Sequence, residues 1–140
     1  MYDQKKILLV DDDADDRFFF QRAVKKIDGS YECITAQNGE DALEKLRAAA
    51  RLPDYIFLDL NMPLMNGKAC LAELKRDERL KNIPVIIYTT SNFSKDFEDT
   101  MKMGAAHYMT KTSDINLLSG IIVLAMVEAD KKQREFAMQE

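Results

Sequence analysis

The sequence predicts an α/β fold: a doubly wound parallel sheet of five strands with five helices on its two faces. Three observations predict it. Apolar runs of about four residues, each closed by polar or turn residues, recur along the chain at Ile7–Val10, Tyr55–Leu58 and Val85–Tyr88. Continuous apolar character over so short a length suits central parallel strands covered on both faces. Between these runs the apolar spacing changes to three and four, the period of an amphipathic helix. Strand and helix patterns alternate throughout, which implies βαβ crossovers.

In chain order, Ile7-Leu8-Leu9-Val10 is the first strand and delivers Asp11-Asp12-Asp13 to its carboxyl end. A helix follows from Asp13, which with Asp16 resembles a capping box; Phe20, Ala23, Val24 and Ile27 fall on one face, and Asp28-Gly29 ends it. Tyr31 to Ala36 is the second strand. Asn38 starts the second helix, with Ala42, Leu43, Leu46 and Ala49 or Ala50 as its stripe. Tyr55 to Leu58 is the central strand, ended by Asp59-Leu60-Asn61-Met62-Pro63. Leu64 to Gly67 is turn material, and Cys70, Leu71 and Leu74 face inward from the third helix; the charged stretch from Lys75 to Lys81 reads as a solvated helix end and loop. Val85 to Tyr88 forms the fourth strand and finishes in Thr89, Thr90 and Ser91. Ser94 is the expected cap of a fourth helix carrying Phe93, Phe97 and Met101, with Gly104 at its stop. His107 to Thr110 is a short fifth strand ending at Lys111. From Asp114 the last helix presents Ile115, Leu118, Ile121, Ile122, Ala125 and Met126, then runs into a polar stretch. The expected organisation is one domain over 1–127 and a helical extension over 128–140.

Composition narrows the function classes. At 140 residues and 46% hydrophobic content the chain can bury a core without disulfides or metal staples. A net charge of -4 argues against nucleic acid as the main partner, because phosphate neutralisation needs a basic face. No apolar run approaches the ~20 residues of a membrane span. Cys33 and Cys70 lie in apolar patterns and are expected as buried free thiols, which fits a reducing, cytoplasmic setting.

The chemistry lies at the strand ends. Strands one, three, four and five end in Asp11 and Asp12, Asp59, Thr89 and Lys111. If the order is 2-1-3-4-5, as in flavodoxin-like sheets, three carboxylates meet at the topological switch point. Like charges ~5 Å apart repel by roughly 3 kcal/mol per pair at an effective dielectric of 20, so the cluster needs a cation or a proton, and a divalent metal is the simple answer. Carboxylate ligands with positions left for water and phosphate suit Mg²⁺, whereas zinc favours histidine and cysteine and the chain has one histidine, His107. An aspartate beside Mg²⁺ can attack phosphorus, and Lys111 and Thr89 can then satisfy the phosphoryl oxygens. Asp59 is the expected nucleophile. Asp13 is assigned to capping.

These residues resemble the receiver domain of two-component response regulators, over residues 5 to 127. Val10-Asp11-Asp12 is similar to the family's acidic pair, and Leu58-Asp59-Leu60-Asn61-Met62-Pro63 to its phosphoacceptor motif, with a metal-binding backbone carbonyl at Asn61. Pro84 to Thr89 resembles the switch-threonine strand, and Gly104 to Lys111 the segment with the switch aromatic, Tyr108, and the phosphate-binding lysine. The resemblance implies a phosphoryl group received from a histidine kinase or phosphotransfer protein, bound Mg²⁺, and a shift of Thr89 and Tyr108 that changes the surface of the fourth helix, fifth strand and fifth helix. It also implies that Asn61 and Ser91 tune phosphoryl lifetime. With no further domain after the fifth helix, output would be a contact with a downstream protein. Small regulators of this type, including those serving bacteriophytochrome kinases, often dimerise through the last strand and helix. Two positions depart from the family: Thr112 stands where proline is usual, and Thr90 where alanine or glycine is common.

Other classes fit less well. A Mg²⁺-dependent phosphatase of the haloacid dehalogenase type would need an aspartate at Asn61. A flavin carrier would need glycines and hydroxyls where Asp11-Asp12-Asp13 stand, and a phosphorylation-independent interaction module would not need the five site residues.

Overall fold

The computed structural model describes residues 4–27, 29 and 31–138, and Asp28 and residues 139–140 of the expected extension lie outside them. The elements are β1 (Lys5–Val10), α1 (Ala14–Lys25), β2 (Tyr31–Ala36), α2 (Gly39–Ala48), β3 (Tyr55–Leu58), α3 (Gly67–Arg76), β4 (Val85–Thr89), α4 (Ser94–Lys102), β5 (His107–Thr110) and α5 (Ile115–Met138). The strands form one parallel sheet in the order β2-β1-β3-β4-β5, as predicted.

Alternation along each central strand divides the core. Leu8, Val10, Ile56, Leu58, Val85 and Ile87 face the layer of α2 and α3, where Leu43, Leu46, Leu71 and Leu74 are buried. Ile7, Leu9, Tyr55, Phe57, Ile86 and Tyr88 face α1 and α5, meeting Phe20, Val24, Leu118 and Ile122. Both sheet faces are covered, which is why these strands read as unbroken apolar runs. On the second face Phe20 packs edge-on to Phe57, with ring centroids 5.1 Å apart.

Register delivers the strand ends to one place. Val10 is opposite Leu58, Leu58 opposite Ile87, and Thr89 opposite Thr110. The residues that follow, Asp11, Asp59 and Lys111, therefore emerge side by side with Thr89.

The fourth helix departs from expectation. Its N-cap is Phe93, with extended backbone and no side-chain cap, and Ser94 is already helical. Phe93 and Phe97 are exposed, Met101 is half-buried, and Thr100 is the buried residue, its hydroxyl donating to the Asp96 carbonyl at 2.7 Å. The 3.6 period gave an apolar stripe, but α4 lies by the edge of the sheet and presents much of that stripe to solvent. α2 ends at Ala48, so Ala49 caps it and Ala50 is exposed. Cys70 is buried, whereas Cys33, on edge strand β2, is only half-buried; burial of its thiol still pushes the pKa up to about 12. Among the described residues no helix is long and apolar enough to cross a membrane.

Candidate functional site

Asp59 leaves β3 with its backbone N–H donating to the Val10 carbonyl at 3.0 Å, so the parallel ladder itself fixes its position beside Asp11. Asp11 is fully buried and Asp59 nearly so, while Asp12 is exposed. Asp11, Asp12 and Asp59 each offer a carboxylate oxygen, and these oxygens lie within 4.8 Å of one another. Arg17 Nη1 donates to the Asp11 carbonyl oxygen at 2.8 Å and pins the turn into α1.

The counter-charge comes from β5. Lys111 N–H donates to the Thr89 carbonyl at 2.9 Å, which continues the pairing one residue past the strands and aims the side chain inward. Its Nζ lies 2.7 Å from Asp11 Oδ2, 2.8 Å from Asp16 Oδ2 and 3.2 Å from Asp59 Oδ2. Burial works against this ammonium, but contacts with Asp11 and Asp16 and the charge of Asp59 outweigh it and hold its pKa above the ordinary lysine value. For Asp11 burial dominates and raises the pKa, although Lys111 and the Asp13 N–H oppose it. The Tyr88 ring completes the enclosure, its centroid 5.4 Å from Lys111 Nζ.

Asp11 Oδ2 is the orphan of the site. It is buried and accepts no aligned hydrogen bond, the Lys111 ammonium touching it at charge-contact distance but from a poor angle. A buried oxygen left this way costs free energy that a hard cation would recover. The donor set therefore fits a divalent ion bound through oxygen.

The remaining expected residues surround this centre. Thr89 is buried at the end of β4, its Oγ1 accepting from Ser91 N–H at 3.3 Å. Asn61 is exposed, its N–H 3.4 Å from Asp59 Oδ1. The Tyr108 hydroxyl donates to the Ser91 carbonyl at 2.8 Å, and its ring meets Phe97 edge-on at 5.5 Å. Ser91 Oγ donates to Asp96, which also binds Lys68 Nζ of α3 at 2.7 Å. Thr112 borders the site, and among the described residues no peptide bond is cis. His107 sits away from the site on β5.

Two residues were missed by sequence reasoning. Asp13 caps α1 by accepting from Asp16 N–H, as the spacing suggested, but the reciprocal half of the box is absent: Asp13 N–H donates to Asp11 Oδ1 and the Asp16 carboxylate goes to Lys111. Nothing local distinguishes an acid that returns to its own cap from one that reaches across to another strand. Tyr88 read as core, and its place under the ammonium follows only from the register of β4 and β5.

A family model described as "Response regulator receiver domain" matches residues 7–123. Response regulator Rcp1 of Synechocystis is 33% identical over 79% of this chain and 79% of its own length. The sensor histidine kinase CheAY of Helicobacter pylori is 28% identical over 83% of this chain but only 14% of its own length. Among solved structures, the phosphorylated cyanobacterial phytochrome response regulator RcpA superposes with a TM-score of 0.78 at 35% identity, covering 86% of this chain and 89% of that one. The Mn²⁺-bound form of Rcp1 superposes at 0.76 with 32% identity, over 84% and 91% of the two chains. With its sheet order, its acidic pocket and this match over most of its length, the chain belongs to the response regulator receiver domain family of two-component signalling.

Proposed function

We propose that this chain accepts a phosphoryl group on Asp59 from a histidine kinase or phosphotransfer protein and uses it to switch a protein-binding surface. The observation that carries this reading is the pairing of Asp59 with Lys111 Nζ at 3.2 Å at the switch point of the sheet, beside Asp11 and Asp12. An Asp59 carboxylate oxygen attacks phosphorus; the new O–P bond forms as the bond from phosphorus to the donor's imidazole nitrogen breaks, and the imidazole keeps the electron pair. Lys111 neutralises one phosphoryl oxygen, and the Thr89 hydroxyl, which uses an acceptor site on Ser91 N–H, keeps its proton for another. Asp11, Asp12, Asp59 and the Asn61 carbonyl oxygen would hold Mg²⁺, which when bound neutralises charge on the transferring group. The protein is thus a phosphoacceptor that assists its own modification.

The switch is built on the path from Thr89 to Tyr108. Thr89 and Ser91 share a hydrogen bond, Tyr108 holds the Ser91 carbonyl, and Ser91 holds Asp96 of α4. A displacement of Thr89 toward a phosphoryl group moves this loop and with it the surface of α4, β5 and α5. Ser91 and Asn61 border the phosphoryl position and tune how long it lasts.

The test is intact mass after incubation with acetyl phosphate, with and without Mg²⁺, for wild type and Asp59→Asn. We expect a Mg²⁺-dependent gain of one phosphoryl group in wild type and none in the variant. Equal uptake by Asp59→Asn would overturn the assignment.

A further inference from the structure

Lys111 has three N–H donors and faces three carboxylates, donating to Asp16 and Asp59 and meeting Asp11 by charge contact. Each stands differently toward phosphorylation, and this inference rests on the function proposed above. Asp59 gives up its own claim on the ammonium when it is esterified, because the phosphoryl oxygens take its place. Asp11 is a member of the acidic triad and can turn its orphan oxygen to a cation. Asp16 belongs to neither group. It comes from α1, lies 95 residues from Lys111 in sequence, and binds Nζ at 2.8 Å with a side chain 40% exposed, whereas that of Lys111 is 11% exposed.

A route to this pair is present. A groove of about 420 Å³ is lined by Asp16, Lys111, Phe19, Thr90 and Thr112, among others. A small anionic phosphodonor entering along it meets the Asp16 carboxylate beside the ammonium it must reach. The second acid in the lining, Asp15, adds to the repulsion.

We propose that Asp16 is a rate-setting positioning residue: a carboxylate counter-ion that holds Lys111 in the unphosphorylated protein and that the incoming phosphoryl group must displace. Asp16 makes no bond to phosphorus. It acts by lowering the availability of Lys111, so its removal strengthens every interaction in which an anion on Asp59 needs that ammonium. The α1 backbone fixes where the competitor stands, since Asp16 N–H is already engaged by the Asp13 cap.

The experiment is a titration of the Mg²⁺-loaded protein with beryllofluoride, a phosphoryl mimic that binds without chemistry, on wild type, Asp16→Asn, Asp16→Ser and Asp16→Glu, with phosphoryl gain from acetyl phosphate measured alongside. A partly exposed ion pair of this kind predicts about three-fold tighter beryllofluoride binding in Asp16→Asn and Asp16→Ser, with a similar gain in phosphorylation rate, while Asp16→Glu stays near wild type. Unchanged or weaker binding in both neutral variants overturns the proposal while leaving Asp59 as acceptor. Wild type that takes up neither beryllofluoride nor a phosphoryl group overturns the acceptor reading itself, and this inference with it.

Discussion

Gly67 shows how closely one residue can be tied to the site. It opens α3 after the Asn66 cap, its N–H donates to the Leu60 carbonyl at 2.9 Å, and a Cβ built on it would lie 2.2 Å from the Asp59 carbonyl oxygen and 2.5 Å from Leu60 Cα. The three nearest atoms are all backbone of Asp59 and Leu60, so no flexible side chain can give way. Gly67→Ala is therefore expected to cost about 1–3 kcal/mol in urea unfolding, the range for forcing extra volume into a packed site, and to slow phosphoryl uptake because the Asp59 loop must move. A wild-type midpoint in that variant would mean that α3 docks less tightly than the geometry indicates. Leu64, three residues earlier in the same loop, holds φ at 67° with its side chain exposed, so the loop carries backbone strain beside the site as well.

At the scale of elements, the junction of β5 with α5 sets a pH response. His107 is half-buried on the edge strand, and burial lowers its pKa, with Lys132 of α5 adding to the effect and Glu128 of α5 opposing it. A base whose folded pKa lies below the unfolded value binds its proton more readily when unfolded. Its stability contribution is complete above the unfolded value of about 6.5 and is lost as pH falls from there through the folded value. Because the chain has one histidine, a fall in unfolding free energy between pH 7.5 and 5.5 that is reduced in His107→Gln identifies this group. An equal slope in the variant would assign the effect to carboxylates. The lowered pKa values of Asp96 and Asp99, which follow first from hydrogen bonds with Lys68, act in the carboxylate range below that window. That Lys68 bridge ties α3 to α4, and it compensates in part for an apolar face on α4 that is mostly left in solvent.

At the scale of the whole molecule, α5 has two apolar faces. Leu118, Ile122, Ala125, Met126 and Ala129 close the core, and Ser119 Oγ donates to the Ala23 carbonyl of α1 at 2.8 Å. Leu117, Val123, Leu124 and Val127 are exposed. Spacings of seven and three place Leu117, Leu124 and Val127 along one stripe, more apolar surface than a solvated helix needs. We propose that a second copy of the chain covers it. The expected outcome is a dimer in sedimentation equilibrium that Leu124→Glu with Val127→Glu converts to monomer without loss of helix content; a wild-type monomer at high micromolar concentration would refute it.

The class of fold, the five strands and the residues at their carboxyl ends were legible in the local pattern of the chain. Strands covered on both faces must be continuously apolar, and the chemistry at their ends breaks that run abruptly, so Asp11, Asp59, Thr89 and Lys111 stand out one by one. The partners of these groups came from packing in space. Asp16 pairs with Lys111 rather than returning to its cap, Tyr88 lies beneath the ammonium, Phe93 and not Ser94 caps α4, and Cys33 stays half-buried. Each of these depends on how a helix sits against a strand far away in sequence, or on which strand forms an edge. Local period and propensity describe one element at a time, whereas a charge chooses its counter-ion by distance in space.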